Sequence, residues 1–168
     1  MINCKDFDFV VNKFRTFFRE RDFIEGHYQD RLSILAACES PDNIAQFDFE
    51  GQTWPLLQTS QMFAEYDLLR NPAYKNLYCT TTSYRNEPTP IEGRHDKIFS
   101  MQEAEMSCNF DQLIEFEKLL CKHLGFKDEP VELEYNEMCE KYGVKVLEGE
   151  HETLMQQEYG NVIFLKHF

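Results

Sequence analysis

The sequence has no long apolar run. No stretch approaches the roughly 18 consecutive apolar residues that a membrane-spanning helix needs. It also does not begin with the basic segment and apolar segment of a secretory signal. These two absences predict a chain that does not enter a membrane, and a cytoplasmic location.

Basic residues are scarce. The chain has 17 lysines and arginines against 30 aspartates and glutamates, which gives a formal net charge of −13. Affinity for nucleic acid comes mainly from lysine and arginine side chains that neutralise phosphates. The composition therefore argues against broad nucleic-acid binding, and any phosphate site must be local.

Two kinds of motif are missing. The six cysteines form no C-x-x-C pair, so reduced thiols are expected, and Cys121 and His123 stand two apart on a predicted helix, where they point in different directions. No metal site is predicted. The sequence also has neither the P-loop pattern nor G-x-G-x-x-G, which excludes the two commonest phosphate-binding loops.

The chain has enough apolar material for one compact domain, residues 1–168, with 15 phenylalanines to fill a core. Between residues 7 and 18, six apolar side chains recur at helical spacing. This stripe either packs against a sheet or meets a second subunit. Its members are Phe7, Val10, Val11, Phe14, Phe17 and Phe18.

The remaining pattern predicts an α+β fold, an antiparallel sheet flanked by helices. A short hairpin is expected around Gly51, and a helix from Ser60 that Pro72 stops. Alternation predicts strands over residues 76–85 and 97–106, joined as a hairpin. Helices over 110–124, 133–142 and about 150–159 precede a buried strand at the end of the sequence.

The predicted hairpin concentrates cationic and aromatic side chains. Arg85 ends the first strand, Arg94 and His95 lie on the connecting loop, and Phe99 begins the second strand. Two arginines suit phosphate oxygens and a phenylalanine suits a flat ring, so ATP is the natural ligand. Taken singly, a strand-end arginine also suits a surface ion pair, and a strand aromatic suits a core.

The segments "YRNE" and "RHDKIFSMQEAEM" resemble motif 2 of the class II aminoacyl-tRNA synthetases, at about residues 77–106. "FRTFFRERDFIEGHYQDRLS" resembles motif 1, at about residues 7–33. "ESPDN" and "LLQTSQMF" are similar to amino-acid-binding segments of the aspartate, asparagine and lysine subgroup. Residues 109–168 resemble part of the C-terminal half of that catalytic core.

The resemblance implies a set of roles. Arg85 would hold the α-phosphate and the amino-acid carboxylate, as the catalytic residue. Glu87 would bind the adenine edge, Arg94 and His95 the γ-phosphate, and Phe99 would stack on adenine. The implied amino-acid pocket comprises Asp42, Gln58, Ser60 and Gln61. The implied cofactors are ATP and Mg²⁺, with no metal ligands in this chain, and the implied assembly is a homodimer.

The resemblance does not extend to motif 3 or to an anticodon-binding domain. The expected function is therefore ATP-dependent activation of an amino acid as its adenylate, by a truncated paralogue, with an acceptor other than tRNA. The alternative is a non-catalytic paralogue that binds an amino acid or a nucleotide and regulates or scaffolds a partner.

Overall fold

The computed structural model describes residues 3–30 and 43–168. The chain divides into two compact units, Met1–Ser107 and Cys108–Phe168. The assignment of residues 1–168 to a single domain stays a prediction.

The first helix, α1, runs from Cys4 to Arg19. Asn3 caps its start, because the side-chain oxygen of Asn3 accepts a hydrogen bond from the backbone N–H of Asp6 at 2.9 Å. Phe17 and Phe18 are buried at its C-terminal end. The helix predicted over residues 7–18 is therefore confirmed.

The predicted apolar stripe of α1 is only partly buried. Val11 lies in the core, whereas Phe7 and Val10 remain exposed, as does Phe9 on the neighbouring face. Packing within the first unit therefore accounts for the C-terminal half of the stripe and leaves its N-terminal half in contact with solvent.

A two-residue strand, β1 (Ile24–Glu25), pairs parallel with a later strand, and its glutamate holds α1 in place. The Glu25 carboxylate accepts hydrogen bonds from Arg15 at 2.8 Å, Arg19 at 3.0 Å and the Tyr78 hydroxyl at 2.8 Å. The hydrogen bond from Arg15 lowers the pKa of Glu25 against the opposing effect of burial.

The predicted hairpin around Gly51 is present. Strands β2 (Gln46–Phe49) and β3 (Gln52–Pro55) pair antiparallel. Glu50 and Gly51 both have positive φ, 52° and 74°, which two-residue hairpin turns of this handedness require.

Helix α2 (Gln61–Arg70) follows Ser60 and ends before Pro72, as predicted. Ser60 occupies the N-cap position, but its side chain makes no capping hydrogen bond. The carboxylate of Glu103 instead accepts from the backbone N–H of Ser60, at 3.0 and 2.9 Å to its two oxygens. The sequence thus predicted that the helix begins at Ser60, but it did not predict that Glu103 accepts the hydrogen bond there.

The two long strands are β4 (Asn76–Tyr84) and β5 (Ile98–Met106). They pair antiparallel over their full length, and the sheet order is β1-β4-β5. The predicted hairpin is confirmed. Cys79 and Ser83 on β4 are buried. Because side chains alternate along a strand, Arg85, which follows β4, lies on the same face as these two residues.

The core of the first unit lies where α2 packs on β4. Its buried residues are Tyr28, Leu57, Phe63, Ala64, Leu77 and Cys79. The rings of Tyr28 and Phe63 stack with centroids 6.2 Å apart. This packing fixes α2 against the hairpin.

The second unit contains three helices and one pair of strands. Helix α3 (Phe110–Leu124) has the predicted bounds, because Asn109 and Gln112 form a reciprocal capping box and Gly125 ends it with φ of 106°. Helices α4 (Tyr135–Tyr142) and α5 (Gly149–Tyr159) follow.

The helix predicted from residue 133 begins later than expected. Residues Val131–Glu134 form strand β6, which pairs parallel with β7 (Ile163–Lys166). The hydrogen bonds to β7 hold residues 133 and 134 in the extended conformation. Strand β7 itself is half-buried rather than buried, which corrects the prediction for the last strand.

The architecture is thus α+β, with a long antiparallel hairpin and flanking helices, as the sequence predicts. Its two parallel strand pairs were not predicted. In the part of the chain that is described, no helix is both long and apolar enough to span a bilayer.

Candidate functional site

Arg85 is held at the open end of the β4–β5 hairpin. Its backbone N–H donates to the carbonyl of Lys97 at 2.8 Å, and it forms an antiparallel bridge with Ile44. Its side-chain Nε lies 3.4 Å from the Ser83 hydroxyl oxygen. The backbone is therefore fixed on two sides, and the half-buried guanidinium projects from the sheet.

Arg85 and Phe99 are neighbours across the hairpin. The register pairs Ser83 with Phe99, which puts the ring diagonally opposite Arg85 on the same face. The guanidinium carbon lies 5.2 Å from the ring centroid, a distance at which a cation is attracted to the face of an aromatic ring. Alternation on two strands was enough to predict this proximity.

The connecting loop carries the other polar groups. The backbone N–H groups of Arg94 and His95 both donate to the carbonyl of Ile91, at 3.1 and 2.9 Å, which closes a turn. The Nδ1 atom of His95 then lies 2.9 Å from a carboxylate oxygen of Glu87, across the loop.

A cavity of about 400 Å³ opens between the hairpin and its loop. Its lining residues are Arg85, Glu87, Arg94, His95, Asp96 and Phe99. All five residues predicted to bind ATP therefore line one cavity, and Asp96 joins them. The volume falls within the usual range of small-molecule sites.

The cavity combines opposite charges with a ring. Its lining includes two guanidinium groups and two carboxylates, and the imidazole of His95 contacts the carboxylate of Glu87 at 2.9 Å. Guanidinium groups bind phosphate oxygens bidentately, and a half-buried phenylalanine offers a stacking surface for a heterocycle. Such an arrangement suits an anion attached to a flat ring.

The residues predicted to bind the amino acid do not line this cavity. Gln58 and Ser60 are buried, with 2% and 0% of their surfaces exposed, and Gln61 is half-buried. The fourth predicted residue, Asp42, lies outside the described residues. The predicted site thus has two parts in the structure, an open cavity and a buried segment.

The buried segment runs beside the end of β4. The backbone N–H of Tyr84 donates to the carbonyl of Leu57 at 2.9 Å, and the side-chain amide of Gln58 donates to the carbonyl of Asn43 at 3.1 Å. The side-chain carbonyl oxygen of Gln58, Oε1, is buried and has no hydrogen-bond partner among residues 3–30 and 43–168. Because burying such an acceptor is costly, a ligand N–H would fit it.

Glu103 has a position that the sequence interpretation did not assign. Besides the backbone N–H of Ser60, it accepts hydrogen bonds from the hydroxyls of Thr59 and Thr81, the latter at 2.7 Å. The alternation of β5 put it on the same face as Phe99. Its donors come from distant parts of the chain, and the sequence carries no signal for that pairing.

Glu105 is the most perturbed carboxyl group of this face. Burial raises its pKa to about 7, and the nearby negative charges of Glu65 and Glu103 add to the shift. It lines a second cavity of about 740 Å³ together with Glu65, Lys75 and apolar side chains of α2. Burial, with the Glu103 charge, also raises the pKa of the Cys79 thiol to about 12, so this thiol is unreactive.

Metal ligands do not converge in the described residues. Within 3–30 and 43–168, no group of three or more histidine, cysteine, aspartate or glutamate side chains is arranged to hold a metal ion. The candidate site is therefore defined by its arginines and its ring.

Comparison with known structures identifies the architecture. An asparaginyl-tRNA synthetase from Pyrococcus horikoshii, complexed with asparaginyl-adenylate, superposes with a TM-score of 0.76 at 16% identity, over 92% of this chain and 42% of that one. The enzyme from Entamoeba histolytica gives 0.75 at 19% identity, over 93% and 41%. The fold is that of a class II synthetase catalytic core.

Sequence comparison also finds a similar asparagine–tRNA ligase, over a smaller part of the chain. The asparagine–tRNA ligase of Pelotomaculum thermopropionicum is 30% identical over 111 residues, which is 66% of this chain and 24% of the ligase. No family model matches the sequence. The chain thus spans about a quarter of that relative and about two-fifths of the similar structures.

Proposed function

We propose that the protein activates an amino acid with ATP, forming an aminoacyl adenylate and pyrophosphate. The observation that carries the proposal is the cavity of about 400 Å³ between the β4–β5 hairpin and its loop, which gathers Arg85, Arg94, His95 and Phe99. The synthetase-like fold supports it.

The proposed chemistry depends on charge and position. Arg85 contacts the α-phosphate of ATP and the carboxylate of the amino acid, and so holds the attacking oxygen near the phosphorus. Its positive charge stabilises the negative charge that develops during attack. Arg94 and His95 bind the γ-phosphate end, Phe99 stacks on adenine, and Glu87 accepts from the adenine edge.

Magnesium is implied for ATP chemistry by the fold. The described residues do not fit a protein-held magnesium ion, since they contain no cluster of suitable ligands. The steps proposed for this chain therefore use its own arginines, its histidine and its ring.

The amino acid is proposed to be polar, and asparagine is the first one to test. The buried carbonyl oxygen of Gln58 accepts no hydrogen bond from the described part of the chain, and it suits an ammonium or amide N–H. Two of the structurally similar synthetases are complexes with asparaginyl-adenylate. Ser60, Gln61 and Asp42 complete the proposed pocket.

The acceptor is proposed to be a small molecule rather than tRNA. The net charge of −13 disfavours a large phosphate-binding surface. We further propose a cytoplasmic protein, in keeping with cysteines that are free throughout the described residues.

The direct test is amino-acid-dependent exchange of pyrophosphate into ATP, measured on the full-length protein with each of the twenty amino acids. We expect exchange with a polar amino acid, asparagine first. Exchange with none of the twenty would contradict the adenylation proposal.

A second function is favoured by the same cavity, because two guanidinium groups and a ring suffice to bind a nucleotide without any reaction. In that case the protein is a non-catalytic paralogue that regulates or scaffolds a partner. Calorimetry with ATP, and separately with asparagine, distinguishes the two functions: binding without exchange favours the second.

We propose a homodimer in which α1 and β1 meet a second copy. Phe7, Phe9 and Val10 on α1 and Ile24 on β1 are exposed, and large apolar side chains left in water are candidates for an interface. Sedimentation equilibrium should give twice the mass of 20.0 kDa. A monomer at micromolar concentration would contradict this assembly.

A further inference from the structure

Glu103 holds the buried part of the candidate site against strand β5, whose other end carries Phe99. It projects from β5, and both of its carboxylate oxygens accept from the backbone N–H of Ser60, at 3.0 and 2.9 Å. The Thr59 hydroxyl donates to one oxygen, and the Thr81 hydroxyl donates to the other at 2.7 Å. Thr59 and Ser60 precede Glu103 by 44 and 43 positions, so this is a long-range connection.

The connection lies on the face that carries the cavity. The register pairs Cys79 with Glu103 and Ser83 with Phe99, so Glu103 and Phe99 are on one face of β5, four residues apart. At about 3.4 Å per residue they are separated by about 14 Å. The segment held by Glu103 therefore lies within one nucleotide-sized ligand of the phenylalanine.

The bonds of Glu103 replace a local helix cap. The first N–H groups of a helix need an acceptor, and a negative charge there is favourable. The side chain of Ser60 makes no capping bond, and the backbone N–H of Gln61 donates to the Thr59 hydroxyl at 3.1 Å, which in turn donates to Glu103. The start of α2 is thus anchored by Glu103 of β5 together with one local bond, from Gln61 to Thr59.

We propose that Glu103 is a positioning residue, which fixes the Gln58–Gln61 segment against the β4–β5 hairpin and so sets the affinity for the amino acid. A carboxylate offers about four acceptor positions, and protein donors fill them here. Glu103 therefore acts through Gln58, Ser60 and Gln61 and not by contact with substrate. The effect on the amino acid rests on the proposed function, whereas the anchoring of α2 does not.

The anchoring is tested by amide hydrogen exchange, read residue by residue by NMR on the full chain. In Glu103→Gln, which keeps one acceptor oxygen and removes the charge, the Ser60 and Gln61 amides should exchange about tenfold faster. Glu105→Gln is the matched control, because it neutralises the next carboxylate on the same face, which makes no bond to α2. Unchanged exchange of Ser60 in Glu103→Gln would overturn the proposal.

The effect on the ligand is tested by calorimetry with asparagine and ATP as separate probes. Glu103→Gln should weaken asparagine binding about tenfold and leave the affinity for ATP within about twofold. Thr81→Val removes one hydrogen-bond donor to Glu103. It should speed the amide hydrogen exchange of Ser60 and weaken asparagine binding, each by less than Glu103→Gln does. It replaces Glu103→Gln in the test if that variant does not fold. An equal loss for ATP and asparagine would contradict a positioning role.

Two further outcomes separate this proposal from its neighbours. In Glu103→Gln, weaker asparagine binding with an unchanged rate of amide hydrogen exchange at Ser60 would mean that Glu103 contacts the ligand directly, which overturns the proposal. If the unmodified protein binds neither ATP nor asparagine, the proposed function fails. The amide hydrogen-exchange experiment alone then decides whether Glu103 anchors α2.

Discussion

Two regions of the same hairpin face differ in how their polar groups are satisfied. At the open end of the hairpin, Arg85 and the Glu87–His95 pair surround a cavity and remain partly exposed. Toward the other end, Glu103 is enclosed by donors from α2 and β4. The same hairpin thus has partly exposed polar groups at one end and enclosed polar groups at the other, according to what covers each end.

The two ends of the hairpin are expected to contribute differently to ligand binding and to stability. Side chains that line a solvent-filled cavity contribute little to folding, because they leave water only when a ligand arrives. Side chains in an enclosed network contribute to folding, because breaking it leaves buried groups unpaired. Variants of the open end should therefore change ligand affinity, and variants near Glu103 should also change stability.

The largest expected effect is that of Arg85→Ala. Without the guanidinium, ATP affinity and pyrophosphate exchange should fall at least about 100-fold, as when a group that stabilises transition-state charge is removed. The free energy of unfolding should change by less than about 1 kcal/mol. Calorimetry and urea denaturation measure the two quantities.

Arg70→Ala serves as the control for Arg85→Ala. Arg70 is an exposed arginine on α2, and its hydrogen bond to the Tyr66 hydroxyl is also exposed. Its removal should leave ATP affinity unchanged. An unfolded Arg85→Ala protein would show instead that Arg85 is structural, and the contrast between the two ends of the hairpin would disappear.

The next largest effect is that of Phe99→Ala, which removes the ring beside Arg85. Loss of base stacking should weaken ATP binding about tenfold. Binding of inorganic triphosphate, which has no base, should be nearly unchanged. Phe99→Trp is the control, since it preserves a stacking surface; a tenfold loss in that variant as well would argue against stacking.

A smaller effect is expected from Glu105→Gln, and it depends on pH. The pKa of Glu105 in the folded protein is about 7, above its ordinary value. The folded state therefore holds the proton more tightly than the unfolded state, and the resulting stability is fully present below about pH 4. It is lost as the pH rises through 7. The glutamine variant avoids that loss. It should be more stable than the natural protein by about 1 kcal/mol at pH 8, allowing for the exposed half of the side chain.

The measurement for Glu105 is urea denaturation at pH 4 and pH 8. The two proteins should differ little at pH 4, where Glu105 is protonated. A variant that is equally stabilised at both values would show that packing, and not charge, explains the change.

The smallest effect is expected from Glu87→Gln, which weakens the contact with His95. The pair is about one-third exposed, and pairs of this kind contribute little to stability, so the free energy of unfolding should change by less than about 0.5 kcal/mol. Affinity for ATP should change by no more than about threefold. A larger loss of stability would place this loop with the enclosed region of the hairpin.

Local patterns in the sequence predicted local structure well. The bounds of α3 follow from Asn109, which caps it, and Gly125, which ends it, and both signals lie within the helix or next to it. Alternation on β4 and β5 likewise predicted that Arg85 and Phe99 share a face, because the period of a strand decides which side chains point together. Alternation thus accounts for two of the six residues that line the open cavity.

Non-local pairing was beyond these patterns. Helix α4 begins later than predicted because residues 131–134 pair with a strand more than 30 positions later in the chain. The contact between Glu134 and His167 spans a similar distance in sequence. Ser60 was correctly placed at a helix start, but its acceptor is Glu103, 43 residues away. A sequence shows which groups need partners, whereas only the tertiary structure shows which distant group supplies them.

The parallel pairing of β1 with β4 has a consequence for the order of folding. Glu25 and Tyr78 are 53 residues apart, whereas β4 and β5 form an adjacent hairpin. Because closing a long loop costs entropy before it gains contacts, the hairpin should assemble early and α1 should dock last. Helix α1 would then be the first element to detach under mild denaturant, which would leave the cavity lined by Arg85 and Phe99 intact for a time.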